Sequence, residues 1–554
     1  MVEPFPNLKM RDENKNAPDF NPGIRLFGRR FFADQQEQEI LLEFFLVATS
    51  PKMFLGKPVR NDALLPDLEL LRSAARDSSS ADPSNALTYA PKARLNLKLL
   101  TFLGSSKLDT RHETHRQQFR ELISQFISPG KLCTSGGIEP QSVLRTIENL
   151  FVGFQGVGAN RTWCARSFLP ISREIIAGES IWRETKSRRK PVSSWEEALK
   201  CFSHSQQIFL ARGGELLYLQ VCNALRQDSS NVREWMRRLP VGSLNAAESL
   251  PSELYSAVAG GLERVLLDCP ATISELAEYL DTGLDAKTAR MTDFRGHNVP
   301  RVSVCGWCPT ECWPEAYLFA VEISRLCCAR IDPIERLELL EIACAMQVLR
   351  SLCAQAARYT RRSEETPEVA GPLGYVWAIS HPMGRETCVK EISRRNVKAI
   401  QRLIHDALRH PTIREFYTQR VVDDAYKEAD RRYGHKLFLT VAKRLGLITP
   451  RRGAGARFVL NDRLLRYLVL STIRPGERVT YESFKKLLFA HHGMAVDDHA
   501  IGRSCLWSGT SRLTTLGGDA EEWLLQMLDA SGVLVRLSDA CSLVENPFGG
   551  GTSV

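Results

Sequence analysis

The chain has 554 residues, with 73 Lys and Arg against 64 Asp and Glu and a formal net charge of +9. That charge is modest for the length and does not by itself indicate a nucleic-acid partner. No run of about 18 apolar residues is present, so no membrane span is predicted. The sequence does not open with a basic start and an apolar segment, so we expect no secretory signal. The fifteen cysteines are therefore expected to be reduced thiols of a cytoplasmic protein.

Apolar residues recur at helical spacing through most of the chain, which predicts a mainly α fold. We expect a multi-helix body followed by tandem C-terminal winged-helix (α+β) domains. The predicted division of the chain is a flexible arm (1–24), a helical body (25–285), a Cys- and His-containing segment (286–330), a helical segment (331–410), a basic winged helix (411–466) and a second winged helix (467–554).

The clearest helical periodicity in the body occurs in three stretches. They are "RQQFRELISQFI" (116–127), "SSWEEALKCFSHSQQIFLARGGELLYLQVCNAL" (193–225) and "RLELLEIACAMQVLRSLCAQAARY" (336–359). Within the second stretch, the adjacent Gly213 and Gly214 predict a break with close backbone packing. We interpret that pair as structural, with a docking surface as the alternative.

A cysteine-rich segment, "FRGHNVPRVSVCGWCPTEC", follows the body. Cys305, Cys308 and Cys312 have the spacing C-x2-C-x3-C, and His297 lies eight residues upstream. Thiolates and an imidazole held around a tight turn can share one tetrahedral zinc ion. The segment is therefore a candidate zinc knuckle with a structural Cys3His site.

The fourth ligand and the presence of the metal are both open. Cys327 or Cys328 is an alternative to the histidine, and a second C-x2-C pair at the usual spacing is missing. The competing interpretation is a set of buried free cysteines in a helical protein. A catalytic metal at this segment would instead make the chain an enzyme.

The strongest local signal is "LFLTVAKRLGLITPRRGAGARFVLND", which runs from Leu437 to Asp462. Its first part predicts a helix that ends at Gly446, and two short strands then flank a Gly-containing turn. Between Arg420 and Arg466 the chain has twelve Lys and Arg against five Asp and Glu. A helix, a hairpin and this concentration of positive charge together predict a winged helix that contacts phosphates.

In a winged helix, a helix enters the major groove of DNA while the hairpin lies along the phosphate backbone. Double-stranded DNA is therefore the expected partner. The alternative is a protein-interaction scaffold whose winged helices dock partner subunits without contacting nucleic acid. The predicted nucleic-acid-binding residues are Arg431, Arg432, Lys436, Lys443, Arg444, Arg451, Arg452 and Arg457.

The last part of the chain repeats the helix-then-hairpin order. A strand "RVTY" precedes the helix "YESFKKLLFAHHG", for which Thr480 is the expected N-cap. A further helix ends near Gly532 and is followed by the strands "VLVRL" and "CSLVENP". This unit has acidic residues where the first has arginines, so docking or dimerisation is as good an expectation as phosphate contact. The acidic residues are Asp519, Glu521, Glu522 and Asp529.

Two other basic runs, "TKSRRKP" (185–191) and "SRRNVKAIQR" (393–402), fit ordinary solvated surface, with nucleic-acid contact as the alternative. The sequence contains no G-x-x-x-x-G-K-[ST], no H-E-x-x-H, no G-x-S-x-G and no dinucleotide glycine fingerprint. We therefore expect a protein that is not an enzyme.

Two stretches, "NPGIRLFGRRFFADQQEQEILLEFFLVATSPK" (21–52) and "FLARGGELLYLQ" (209–220), resemble accessory subunits of bacterial anti-phage defence operons of the Druantia-like kind. The resemblance covers about a tenth of the chain. It implies a DNA-related role in a complex with a separate helicase or nuclease subunit. It carries no functional residues over to this sequence.

Overall fold

A computed structural model describes most of the chain, and the structural statements below concern that part of it. The described residues are 3–6, 21–28, 31, 33, 35–76, 86–91, 93–94, 176, 178–179, 181–182, 202–203, 213–240, 242–268, 303–360, 370–383, 387–414, 422–509, 522–538 and 541–549.

Helices account for most of the described residues, as the apolar periodicity predicts. A single 3₁₀ turn, Thr310–Cys312, precedes one of them. The α-helices are α1 (Pro22–Phe27), α2 (Glu37–Thr49), α3 (Leu68–Arg76), α4 (Gly213–Leu225), α5 (Ser229–Met236), α6 (Pro251–Leu267), α7 (Trp313–Cys328), α8 (Pro333–Tyr359), α9 (Thr387–Leu408), α10 (Pro411–Arg414), α11 (Val422–Arg432), α12 (His435–Leu445), α13 (Asp462–Thr472), α14 (Tyr481–His492), α15 (Asp498–Trp507) and α16 (Glu522–Ala530).

The strands are short and form several small sheets. They are β1 (Pro4–Phe5), β2 (Lys52–Phe54), β3 (Lys57–Pro58), β4 (Thr88–Tyr89), β5 (Ala93–Arg94), β6 (Gly178–Glu179), β7 (Ile181–Trp182), β8 (Phe202–Ser203), β9 (Ser303–Val304), β10 (Cys308–Pro309), β11 (Trp377–Ala378), β12 (Ile448–Thr449), β13 (Arg457–Phe458), β14 (Arg478–Thr480), β15 (Met494–Ala495), β16 (Leu534–Ser538) and β17 (Cys541–Glu545). The two larger sheets have the strand orders β3-β2-β4-β9 and β14-β17-β16.

The centre of the protein is the 27-residue helix α8. Its start is capped by Asp332, whose carboxylate accepts hydrogen bonds from the N–H groups of Ile334 and Glu335. Every residue from 339 to 357 is buried, and α2, α7, α9 and α12 all pack against the helix. A helix that is buried on all sides belongs to the core of a large protein.

A fully buried ion pair fastens the C-terminal helices to this core. Arg350 of α8 donates from both terminal nitrogens to the carboxylate of Glu322 in α7, each at 2.7 Å. The same carboxylate accepts from Tyr467 of α13 at 2.9 Å and lies 3.0 Å from Nδ1 of His491 in α14. Burial opposes its charge, but Arg350 holds the pKa of Glu322 well below its usual value. The pair therefore joins four helices at one point.

The arm predicted over residues 1–24 is wrong for its described part. Phe5 is only 1% exposed, and β1 pairs in antiparallel register with β10. Ile24 is also buried in the core. Burial of the Phe5 ring and of the Ile24 side chain removes apolar surface from water and so favours an ordered position for both.

The helix predicted within 193–225 is confirmed from Gly213 onward, where a break was expected, but not at Phe202–Ser203. The helix begins at Gly213, and Phe202–Ser203 is instead a strand that pairs with β7. Gly214 does provide the close backbone approach expected of it, because a Cβ there would lie 2.3 Å from the carbonyl oxygen of Ile40 in α2. The first predicted helix, 116–127, lies outside the described residues.

The segment 411–466 is not separated from the body. Its helix α12 packs on α8 and α9, and its apolar residues belong to the same continuous core as those of α2 and α7. Helix α12 ends at Leu445 with Gly446 as a left-handed cap, as predicted. The hairpin that follows is shorter than expected, since β12 and β13 have two residues each.

The final segment contains an antiparallel sheet of three strands, in which β14 and β16 both pair with β17. Thr480 caps α14 as predicted, because its hydroxyl accepts from the N–H of Ser483 at 3.1 Å. Among the described residues, no helix combines the length and apolar character that crossing a bilayer requires.

Candidate nucleic-acid interface

The base of the basic hairpin is fixed by buried aromatic rings. Strands β12 and β13 pair through Ile448 with Phe458. The ring of Phe458 stacks on Trp377, with centroids 5.8 Å apart, and contacts Phe438 of α12 at 6.3 Å. Ser380 donates its N–H to the carbonyl oxygen of Phe458 at 2.9 Å. The loop between the strands is therefore held at both ends by the core.

The loop itself points to solvent and has two exposed arginines. Arg451 and Arg452 are exposed, and within the described part of the chain neither makes a side-chain hydrogen bond or an ion pair. Gly453 and Gly455 have φ values of 91° and 85°, which only glycine adopts without strain. The glycines thus bend the backbone, and the arginines at the bend remain available to an anion.

Arg457, on the return strand, is more enclosed. Its Nη2 donates to the carbonyl oxygen of Pro382 at 2.8 Å, and its Nε has no hydrogen-bond partner among the described residues. Burial, with a further contribution from the positive charge of Arg394, lowers its pKa. Arg457 therefore has a structural role through its hydrogen bond to Pro382, and it also lies where the positive charges of Arg457 and Arg394 oppose each other.

Two of the predicted arginines pair with carboxylates within the protein, Arg444 in a largely buried pair and Arg432 in an exposed one. Nε of Arg444 lies 2.5 Å from Oε1 of Glu37, and its Nη2 donates to the carbonyl oxygen of Gln35 at 2.7 Å. Arg432 lies 3.4 Å from Glu428 one helical turn earlier. The prediction that Arg444 contacts phosphate is contradicted by this geometry, because the side chain bridges α12 to the start of α2.

The other three predicted cations lie on α11 and α12. Arg431 and Lys436 are exposed and Lys443 is partly exposed. In the described part of the structure none of their side chains has a hydrogen bond or an ion pair. The buried face of α12 contains Leu437 and Val441, so the lysines point away from the core.

In the structure, a further set of cations begins beside the loop. The sequence alone favoured ordinary solvated surface for these residues. They are on α9, whose Arg394 guanidinium would lie 3.5 Å from a Cβ placed on Gly455 of the loop. Further along α9, Lys398 and Arg402 are exposed. The sequence contains these basic residues at positions i, i+4 and i+8. Their proximity to the hairpin could not be predicted from that spacing, because it depends on packing between two segments more than fifty residues apart.

The three cysteines of the predicted zinc knuckle are among the described residues. Cys305, Cys308 and Cys312 are all buried, but their surroundings differ. Cys305 donates its backbone N–H to Leu87 beside β4, whereas burial and Cys308 raise the pKa of the Cys312 thiol. Among the described residues no three His, Cys, Asp or Glu side chains lie close enough together to hold a metal ion.

The fourth proposed ligand, His297, lies outside the described residues, so the zinc site stays a prediction that the described cysteines do not support. The alternative ligands are placed apart as well. Cys327 is buried against Gly261 of α6, and Cys328 is exposed. A buried, protonated thiol is a small apolar group that packs like one.

Comparison of the chain with protein-family models, with curated proteins and with solved structures finds no significant match. The resemblance of 21–52 and 209–220 to defence-operon subunits stays a prediction. Function is therefore inferred from the arrangement of this chain's own side chains.

Proposed function

We propose that this protein is a non-enzymatic subunit that binds double-stranded DNA through the loop between β12 and β13. The observation that carries the proposal is the pair Arg451 and Arg452. Both are exposed at the tip of a loop whose base is fixed by Phe458, and neither has a carboxylate partner among the described residues. Unpaired guanidinium groups on a rigid support suit phosphate oxygens, which they can contact in a bidentate manner.

The winged-helix interpretation belongs to the same proposal. For the final segment it is supported by the order helix α13, strand β14, helices, and then a hairpin of β16 and β17, with β17 between the other two strands. For the first unit it is supported by α12 followed directly by the β12–β13 hairpin.

The three cations on α11 and α12 extend the proposed surface. Arg431, Lys436 and Lys443 have no ion-pair partner in the described chain, so their charge is available to phosphates. Arg444 is excluded from the set because it is held in a largely buried pair with Glu37. Arg432 is not counted with the unpaired cations, but its pair with Glu428 is about half exposed and does not prevent phosphate contact. Each phosphate neutralised by the protein releases a counterion, so binding is expected to weaken steeply as salt rises.

The test is duplex binding by a loop variant and a matched control. Arg451→Glu with Arg452→Glu reverses two adjacent exposed charges on the loop. Arg237→Glu with Arg238→Glu reverses two adjacent exposed charges after α5. Fluorescence anisotropy with a random-sequence duplex over a range of salt concentrations gives the affinity and the salt slope for each protein.

We expect the loop variant to bind at least about tenfold more weakly at low salt and to lose about 1.8 from the slope of log K against log salt, because each lost phosphate contact contributes about 0.9. The control is expected to match the wild type. Equal effects of the two variants would show a response to net charge alone and would contradict the proposal. Failure of the wild-type protein to bind duplex at low salt would favour the protein-interaction scaffold instead.

Membership of a multi-protein complex is the part of the proposal that rests on the resemblance of 21–52 and 209–220 to anti-phage defence subunits. The identity of the neighbouring genes tests it. A helicase or nuclease gene beside this one supports a shared complex, and a gene context without either removes that support.

A further inference from the structure

Helix α9 has a regular row of positive charge along its outer face. Arg394, Lys398 and Arg402 follow one another at intervals of four residues and are all exposed, and Arg395 is exposed beside the first. The opposite face is buried. At 1.5 Å per residue the row has a spacing of about 6 Å and a length of about 12 Å.

The row and the basic loop form one continuous surface. Ser393, at the start of the row, accepts the backbone N–H of Phe458 at 2.8 Å and so fixes this end of α9 to the base of the hairpin. The guanidinium of Arg394 would lie 3.5 Å from a Cβ on Gly455 within the loop. The row therefore begins where the loop ends, and its far end lies about two turns further along the helix.

The acidic residues near the row leave most of its charge unbalanced. Glu391 lies 3.1 Å from Arg395 and 3.7 Å from Arg394, but all three side chains are about half exposed. Such pairs are worth little in water and exchange readily with an anionic ligand. In the described chain, the side chains of Lys398 and Arg402 have neither an ion pair nor a hydrogen bond.

We infer that the outer face of α9 is a second phosphate-contacting surface, so that a nucleic-acid duplex crosses the basic loop and continues along this helix. This inference rests on the proposed function of the loop and extends it. A length of about 12 Å spans three to four nucleotides of one strand, at 3.4 Å per nucleotide. The row thus runs along three to four nucleotides, with one cation for about every second phosphate.

The crowding of like charge at the junction supports the same arrangement. Arg394 lies beside the loop, and its positive charge adds to burial in lowering the pKa of Arg457. A phosphate bound between the two guanidinium groups would offset their repulsion with charge-assisted hydrogen bonds. Glu391 lies beside Arg394 and Arg395 in exposed pairs, and the positive charge of the other cations favours binding of an anion.

The chemistry of the surface also defines what it recognises. The exposed groups of the row on α9 and of the two loop arginines are guanidinium and ammonium groups, which suit the phosphate backbone of the ligand. Contacts of this kind position a duplex without reading its bases. Binding is therefore expected to be independent of sequence.

The test is the triple variant Arg394→Gln, Lys398→Gln and Arg402→Gln. Its matched control removes three exposed charges on and after α5, Arg233→Gln, Arg237→Gln and Arg238→Gln. Both are measured by anisotropy with two unrelated 20-base-pair duplexes across a salt series, and circular dichroism checks the fold of each. The single change Lys398→Gln, at an exposed site without an ion pair in the described structure, is the fallback if the triple variant unfolds.

We expect the triple variant to bind at least about tenfold more weakly and to lose about 2.7 from the salt slope, or about 0.9 for Lys398→Gln alone. The control should match the wild type, and the two duplexes should bind equally. If the triple variant behaves like its control while the loop variant still weakens binding, the α9 inference is overturned and the proposed function stands. If the wild-type protein binds neither duplex, the proposed function fails as well. A preference above tenfold for one duplex would overturn the sequence-independent mode.

Discussion

Replacing Arg350 by methionine should destabilise the protein strongly, because it leaves a buried carboxylate without its counter-ion. The side chains of Arg350 and Glu322 are both 0% exposed, and two hydrogen bonds of 2.7 Å join them. After the substitution, Glu322 would retain only neutral donors, namely Tyr467 and His491. Breaking a buried pair by removing one partner costs about 3–5 kcal/mol. We expect Arg350→Met to lower the free energy of unfolding by that amount.

The assay is urea unfolding followed by tryptophan fluorescence, with Arg60→Met as the control. Arg60 pairs with Asp62 at 2.9 Å, but both side chains are more than 70% exposed. Loss of such a pair is expected to cost less than about 1 kcal/mol. The double variant Glu322→Leu with Arg350→Met should be less destabilised than the single one, because no buried charge is then left unpaired. A loss for Arg350→Met no larger than for the control would refute the description of this pair as buried.

Two further predictions concern the core. Gly260→Ala should raise the free energy of unfolding by about 0.5–1 kcal/mol, since its Cβ would meet nothing within 4 Å inside α6. Gly261→Ala should lower the free energy of unfolding by about 1–3 kcal/mol, because its Cβ would lie 2.8 Å from Cβ of Cys327. Urea midpoints of the two variants that shift in the same direction would contradict this packing. Burial lowers the pKa of His491 and lowers the pKa of His492 to about 3. Below pH 6.5 the unfolded chain therefore binds more protons than the folded protein. The stability that is present above that pH is lost on acidification. Between pH 6.5 and 5.5 His492 should cost about 1 kcal/mol and His491 should add to that loss, and a urea midpoint that stays constant over this interval would exclude their burial as neutral groups.

Local features near the basic hairpin followed from the sequence. Gly446 ends α12 and Thr480 caps α14 because the backbone at these positions has requirements that one or two residues satisfy. The exposure of Arg451 and Arg452 also follows from local chemistry, since they flank the glycines of a tight turn. Predictions of this kind depend on residues within a few positions of each other.

The contacts that define the surface were not predictable in the same way. Arg444 is removed from it by Glu37, which lies 407 positions earlier in the chain. Arg394 joins it through proximity to Gly455, which no periodicity in either segment indicates. A count of charges along a segment assumes that every cation in it is available to a ligand. The fold determines which of these cations pair with a carboxylate elsewhere in the chain.

The same limit applies to the cysteines. Spacing of C-x2-C-x3-C suggested a shared metal, but Cys305 continues a strand beside β4 while Cys312 lies in the 3₁₀ turn before α7. Cys308, between them, lies on β10, which pairs with the strand β1 that contains Phe5. Sequence spacing limits how far apart such thiols can be, but it does not make them converge.

The most direct test of the central claim is the salt dependence of duplex binding by the wild-type protein. Five cations, Arg451, Arg452, Arg394, Lys398 and Arg402, line the loop and the outer face of α9. If each neutralises one phosphate, log K should fall against log salt with a slope of about −4.5, which steepens to about −7.2 if Arg431, Lys436 and Lys443 each neutralise a phosphate as well. A slope near zero, or no measurable binding at low salt, would contradict a phosphate-contacting role for this surface.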